Sequence, residues 1–208
     1  RSFAAKARAC RHVKNIIRGH ARVADTFDFV VVGGGSGGCA VAGRLSEDAG
    51  TSVALLDAGG KNDNWVVTTP FALVLMVAGN VNNWAFNTVP QKGLNGRIGY
   101  QPRGKGLGGS SAINAMVYIR GHRTDYDQWA SLGNPGWSFA DVLPYFKRAE
   151  NNADFGGEYH GKGGPLAVNK LRTQNPVQQI FLQAAQEAQF RLREDFNADE
   201  HEGLGIYQ

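Results

Sequence analysis

The stretch FDFVVVGGGSGGCAVAGRLSEDAGTSVALLD, residues 27–57, decides the fold. It opens on Phe27–Val32, nearly all apolar, as a parallel strand buried on both faces is. The glycine turn Gly33-Gly34-Gly35-Ser36-Gly37-Gly38 follows. A helix is predicted from Gly38 to Asp48, with Ala40, Val41, Ala42 and Leu45 on its apolar face and Gly50 at its end. A second apolar strand, Ser52–Leu56, leads to Asp57 and the turn Ala58-Gly59-Gly60. Strand, glycine turn, helix and strand in ~30 residues make a βαβ unit with a right-handed crossover.

The glycines have separable roles. Gly33 permits the tight turn, Gly35 lets backbone approach a pyrophosphate, and Gly38 lets the helix pack close to the strand. Ser36 and Gly37 stand where the helix N-terminus offers N–H groups and the positive end of its dipole. Asp57 lies 19 residues after Gly38, where an acid accepts hydrogen bonds from a ribose diol. The reading is dinucleotide binding, against a bare glycine-rich turn without a ligand. It does not separate FAD from NAD.

A second glycine cluster does. Residues 101–126 read QPRGKGLGGSSAINAMVYIRGHRTDY. The stretch Pro102–Gly121 resembles the first signature of the glucose-methanol-choline (GMC) family of FAD-dependent alcohol oxidoreductases. Its surroundings are similar too: Asn83-Trp84, Gly133-Asn134-Pro135-Gly136-Trp137, Leu143-Pro144-Tyr145-Phe146, His160–Pro165 and Gly203-Leu204-Gly205. The resemblance covers residues 26–208.

It implies an α/β fold: an FAD-binding, Rossmann-like parallel sheet with a βαβ unit, incomplete, plus the start of an α+β substrate domain. It implies that Gly106 and the run Asn114, Ala115, Met116 and Val117 line the flavin, and that Gly108, Gly109 and Ser110 form the loop beside the pyrophosphate. Glycines allow that close approach, and hydroxyl and amide groups bond phosphate and ring heteroatoms. Members that attach FAD covalently use a His just before the signature Asn. Ile113 occupies that place here, so FAD is expected to be non-covalent.

The activity implied is oxidation of an alcohol by hydride transfer to flavin N5. Electrons would pass to a quinone or another acceptor rather than to oxygen. The run Asn114–Gly121 looks closest to the choline-dehydrogenase branch. A hydroxynitrile lyase-like member and a truncated, non-catalytic FAD-binding product are the alternatives. The family's catalytic His lies far toward the C-terminus, so the chain reads as an N-terminal part with no catalytic residue of its own, inactive alone. His122, His160 and His201 match no catalytic position, and His160 is expected to shape a turn with Gly161. Arg120, Arg123, Asp125 and Asp127 read as a solvated or ion-paired face.

Charge and composition bound the rest. Residues 1–24 carry seven Lys/Arg and no acid, and the remainder holds 15 bases against 18 acids. The net charge of +4 therefore resides in the tail, and no nucleic acid is expected as a partner. The tail reads as a disordered basic extension, with a mitochondrial transit peptide as the alternative. Cys10 and Cys39 form no metal or redox pair, and no metal site is expected. No run reaches the ~18 apolar residues of a membrane span. The expected location is cytoplasmic or peripheral to an inner membrane.

Residues 25–155 are assigned to the FAD-binding part and 156–208 to the beginning of the substrate region. Residues 61–100 read as an irregular excursion, apart from a buried helix over Phe71–Ala78. Trp129–Trp137 reads as loop. Ser138 with Asp141 reads as a capping box for a helix that Pro144 kinks or restarts. Asn175-Pro176 opens a helix with Val177, Ile180, Phe181, Ala184 and Ala188 on one face.

Overall fold

The structure, a computed structural model, describes residues 26–173 and 175–208, with the backbone of Asn15 and Ile16. The other residues of the basic tail, and the transit-peptide reading with them, lie outside the described residues. The chain divides into two units at Met116–Val117.

The first unit is built on the βαβ stretch. Strand β1 (Asn15–Ile16) pairs parallel with β3 (Val53–Leu56), which pairs parallel with β2 (Phe29–Val32). Helix α1 (Ser36–Leu45) makes the crossover. Its Ala42 packs against Val53 and Leu55, all three buried, with Val31, Cys39, Leu45 and Leu107 around them. Among the described residues, β3 is the central strand of this sheet. β2 is an edge, and Phe29, Val30 and Val32 are exposed, Val32 at 81 %. This corrects the expectation of a strand buried on both faces: apolar composition records what a strand is suited to pack against.

Residues 61–100 hold short elements. These are α2 (Trp65–Thr68), α3 (Leu73–Ala78) and the antiparallel pair β4 (Phe86–Asn87) and β5 (Tyr100–Gln101). Of the apolar run, Ala72 and Met76 are buried, whereas Phe71 is 86 % exposed. Asn83 is the pin of this region. Its Nδ2 donates to the carbonyls of Met76 and Gly79, each at 2.9 Å, and its Oδ1 accepts from Arg103 N–H at 2.9 Å.

The second unit opens with α4 (Arg123–Ser131), capped by reciprocal bonds between His122 and Asp125. The helix occupies Trp129–Ser131, where a loop was expected. Helix α5 (Phe139–Ala149) has the predicted Ser138–Asp141 capping box and runs unbroken past Pro144. Strand β6 (Glu150–Asn152) pairs parallel with β7 (Leu166–Val168). Helix α6 (Pro176–Glu187) begins at Asn175-Pro176 as predicted, but Val177, Ile180 and Phe181 face outward and Ala185 is the buried residue.

Candidate functional site: a cradle of two glycine motifs

The turn after β2 and the loop 104–112 meet through backbone. Gly108 N–H donates to Gly34 O at 2.7 Å, and Ser36 Oγ donates weakly to Gly108 O at 3.4 Å. A Cβ added to Gly109 would lie 2.8 Å from Gly35 Cα, so the loop 104–112 tolerates no side chain at Gly109. Asp57 braces the same turn. Its Oδ2 accepts from Gly34 N–H and its Oδ1 from Gly59 N–H, both at 2.7 Å. Each carboxylate oxygen keeps a second lone pair for another donor.

The glycines fall into two groups. A Cβ on Gly38 would collide with the Gly33 carbonyl, and one on Gly104 with the Gly109 carbonyl. These serve close packing. A Cβ on Gly33, Gly35 or Gly37 would meet nothing within 4 Å. Those positions face open space at the start of α1, which side chains would occupy. Helix α1 has no side-chain cap and no acid in its first turn. Its first N–H groups and the positive dipole end are therefore available to an anion.

The second motif supplies the adjoining wall. Ser110 Oγ accepts from Gly104 N–H at 3.1 Å, and Ser111 Oγ donates to Gly108 O at 2.6 Å. Gly106 lies against Gly60 and Asn62, and Asn62 Nδ2 donates to Leu107 O at 2.8 Å. At the end of the motif Asn114 Oδ1 accepts from Met116 N–H at 3.1 Å, and Met116 has φ 63°. A left-handed non-glycine residue stores roughly 1–2 kcal/mol. Ile113 is buried at 4 %.

The structure thus brings Gly33, Gly35, Ser36, Gly37, Gly38, Asp57, Gly106, Gly108, Gly109 and Ser110 into one neighbourhood of the first unit. Asn114, Ala115 and Met116 follow along the chain, and Val117 belongs to the second unit. Sequence reasoning missed Asn62, which braces the loop without any motif of its own, and gave no role to Leu107 within the second motif. Among the described residues no group of His, Cys, Asp and Glu is arranged to hold a metal ion, and no helix is long and apolar enough to cross a membrane.

The family model described as GMC oxidoreductase matches residues 27–208. The chain belongs to the GMC oxidoreductase family. Mitochondrial choline dehydrogenase of Homo sapiens is 44 % identical over 188 residues, covering 87 % of this chain and 32 % of that protein. An alcohol dehydrogenase [acceptor] of Pseudomonas putida is 45 % identical over 183 residues, covering 88 % and 33 %. Among solved structures, pyridoxine 4-oxidase from Mesorbium loti superposes with a TM-score of 0.79 at 34 % identity, covering 86 % of this chain and 35 % of that one. The GMC chain therefore spans about a third of the length of the relatives it matches. Its α/β character, with a parallel βαβ unit, is that of the family's FAD-binding fold.

The second unit of this GMC chain holds the histidines. His122 caps α4, and its ring meets that of His201 edge-on at 5.3 Å. Burial, joined by the neighbouring His122, lowers the His201 pKa. His160 is buried between Glu150 and Asp195, and the N–H of the adjoining Gly161 donates to Glu150 Oε2 at 2.8 Å. Arg120, expected on a solvated or ion-paired face, is ion-paired to Glu150 and buried.

Proposed function

We propose that this chain supplies the FAD-holding portion of an enzyme that oxidises an alcohol. The supporting observation is the open space at Gly33, Gly35 and Gly37 at the start of α1, beside the loop 104–112 that is bonded to the same turn. Backbone N–H groups of Ser36, Gly37 and Gly38 would hold the pyrophosphate, with Gly108, Gly109 and Ser110 beside it. Asp57, oriented by Gly34 and Gly59, would accept from the ribose hydroxyls. Gly106 and Asn114–Val117 would lie along the flavin ring. When bound, FAD supplies the hydride acceptor, flavin N5, that no side chain provides.

The chain's own contribution is to bind and orient. Close-packed glycines fix the two loops against each other, and the Asn114 side chain holds the turn at Met116. The substrate class is a small-molecule alcohol, and the electrons pass to a quinone or another acceptor in preference to oxygen. The relative described as an alcohol dehydrogenase [acceptor] supports this reading, and relatives described as oxygen-dependent choline dehydrogenase support oxygen as the alternative acceptor. The flavin is held without a covalent bond, since Ile113 carries no nucleophile. The test is to purify the whole enzyme of which this chain is the FAD-holding portion, with its flavin, add choline and simple primary alcohols anaerobically, and follow bleaching of the flavin. Bleaching by an alcohol is the expected result. A protein without flavin, or a flavin that no alcohol bleaches, sinks the reading.

A further inference from the structure

Five residues of the second unit, unused by the cofactor reading, close on one another. Arg120 Nη2 donates to Glu150 Oε2 at 2.8 Å. Glu150 Oε1 faces His160 Nδ1 at 3.0 Å, and His160 Nε2 faces Asp195 Oδ2 at 2.7 Å. Asp195 Oδ1 accepts from Asn197 N–H at 2.8 Å, and Asn197 Oδ1 accepts from Arg120 N–H at 2.8 Å. The circuit returns to the residue where it began. The Arg120 and His160 side chains are 2 % exposed, Glu150 0 % and Asp195 18 %.

Both His160 nitrogens face carboxylate oxygens, Nδ1 that of Glu150 and Nε2 that of Asp195. Asn152 joins them from the side. Its Oδ1 accepts from Asp154 and Phe155 N–H, which sets the amide orientation, and its Nδ2 lies 2.8 Å from Glu150 Oε1, 3.1 Å from Gln208 Oε1 and 3.2 Å from His160 Nδ1. The Arg120 guanidinium faces the Glu150 carboxylate, and pairing of this kind is how charges tolerate burial. Lys162 is directed to Asn152 O, and the Tyr118 hydroxyl lies 3.5 Å from Arg120 Nη2.

The ring also grips main chain. Asn197 Nδ2 donates to Tyr118 O at 3.1 Å, and Tyr118 N–H donates to Gln208 O at 2.8 Å. Both polar backbone groups of Tyr118 and the N–H of Arg120 are thus held. Tyr118 is the residue directly after Val117, the last of the run assigned to the flavin.

We propose that Arg120, Glu150, His160, Asp195 and Asn197 are positioning residues for the flavin, a closed hydrogen-bonded ring that fixes Tyr118–Arg120 and thereby the Val117 backbone at the cofactor. The proposal rests on the assignment of Asn114–Val117 made above. None of the five touches the cofactor in this account. His160 completes the ring by bridging Glu150 and Asp195 through its two ring nitrogens.

The test uses the flavin-loaded protein with His160→Gln, Asp195→Asn and the pair together. Val168→Ala is the control, since it trims a buried side chain of β7 in the same unit outside the ring. The readouts are the visible circular dichroism of the flavin, its midpoint potential and the Kd for FAD, with Tm alongside. Each ring variant is expected to alter the flavin dichroism and weaken FAD at least tenfold. The pair should do little more than either alone, because a ring is broken once. The control should lower Tm and leave the flavin signals in place. Unchanged flavin signals in both ring variants overturn the proposal, and so do equal changes in the control at equal loss of Tm. If His160→Gln does not fold, Asp195→Asn decides, its carboxylate being partly exposed. A parent protein that binds no FAD overturns the cofactor reading instead, and the proposal with it.

Discussion

The Gly34 N–H donates to Asp57 Oδ2 at 2.7 Å, tying the glycine turn to the end of β3. Because Oδ1 takes Gly59 N–H as well, both oxygens are oriented by backbone before any ligand arrives. Asp57→Asn keeps the shape but turns one acceptor into an N–H₂ group facing an N–H. FAD affinity should fall about tenfold, or ~1.4 kcal/mol. Flavin fluorescence titration measures it, and unchanged affinity would reduce Asp57 to a turn brace.

Gly38→Ala should cost stability directly. The new Cβ meets the Gly33 carbonyl and lies 3.5 Å from Val31 Cγ1, so α1 must move off β2. Overpacking of this kind costs about 1–3 kcal/mol. The urea midpoint should drop and the flavin content with it. Gly37→Ala, whose Cβ meets nothing within 4 Å, should leave stability nearly unchanged while reducing FAD binding. Equal stability losses in the two variants would contradict the division between packing and ligand-facing glycines.

Breaking the buried pair should be severe. With Arg120 and Glu150 almost fully covered, Glu150→Gln leaves a guanidinium facing a neutral amide. Removing one partner of such a pair costs about 3–5 kcal/mol. Thermal or urea unfolding reads this out. A change under ~1 kcal/mol, the range of exposed pairs, would show that water reaches the site.

Acid should act through the same residue. Burial pushes the Glu150 carboxyl up, but hydrogen bonds from Asn152, His160 and Gly161 and the Arg120 charge outweigh it, so the group sits below the usual glutamate range. A depressed folded value means that the unfolded chain binds the proton first. The stabilisation is complete above the ordinary glutamate range and is lost as pH falls through it toward the folded value. Unfolding free energy followed from neutral to acid pH should decline there, and Glu150→Gln should flatten the decline. The same slope in both proteins would refute the assignment.

The flavin should leave the chain on denaturation. Acid precipitation followed by filtration is expected to put the yellow colour in the filtrate. Colour remaining with the protein would show a bond that Ile113 cannot form.

Local signals read well from the sequence because their causes are local. The βαβ order, the Ser138–Asp141 box and the start of α6 at Asn175-Pro176 each depend on residues a few positions apart. α4 escaped because its cap is His122, outside the usual N-cap residues. Pro144 misled for another reason. It removes one N–H, and the helix continues through its remaining bonds. The exposed face of α6 shows that periodicity identifies a stripe without saying what covers it. The cradle was legible through glycine spacing, but its braces Asn62 and Leu107 were not. The ring from Arg120 to Asn197 joins residues 77 positions apart, beyond any pattern of spacing.

The meeting of Ser36 with Gly108, 72 positions along the chain, has a kinetic meaning. β2, α1 and β3 assemble from near neighbours, whereas the cradle must close a long loop before its first bond forms. Loop-closure entropy makes such contacts slow to gain. The βαβ unit is therefore expected to form ahead of the phosphate cradle, and a dinucleotide present during refolding to speed the late step; equal refolding rates with and without FAD would refute this.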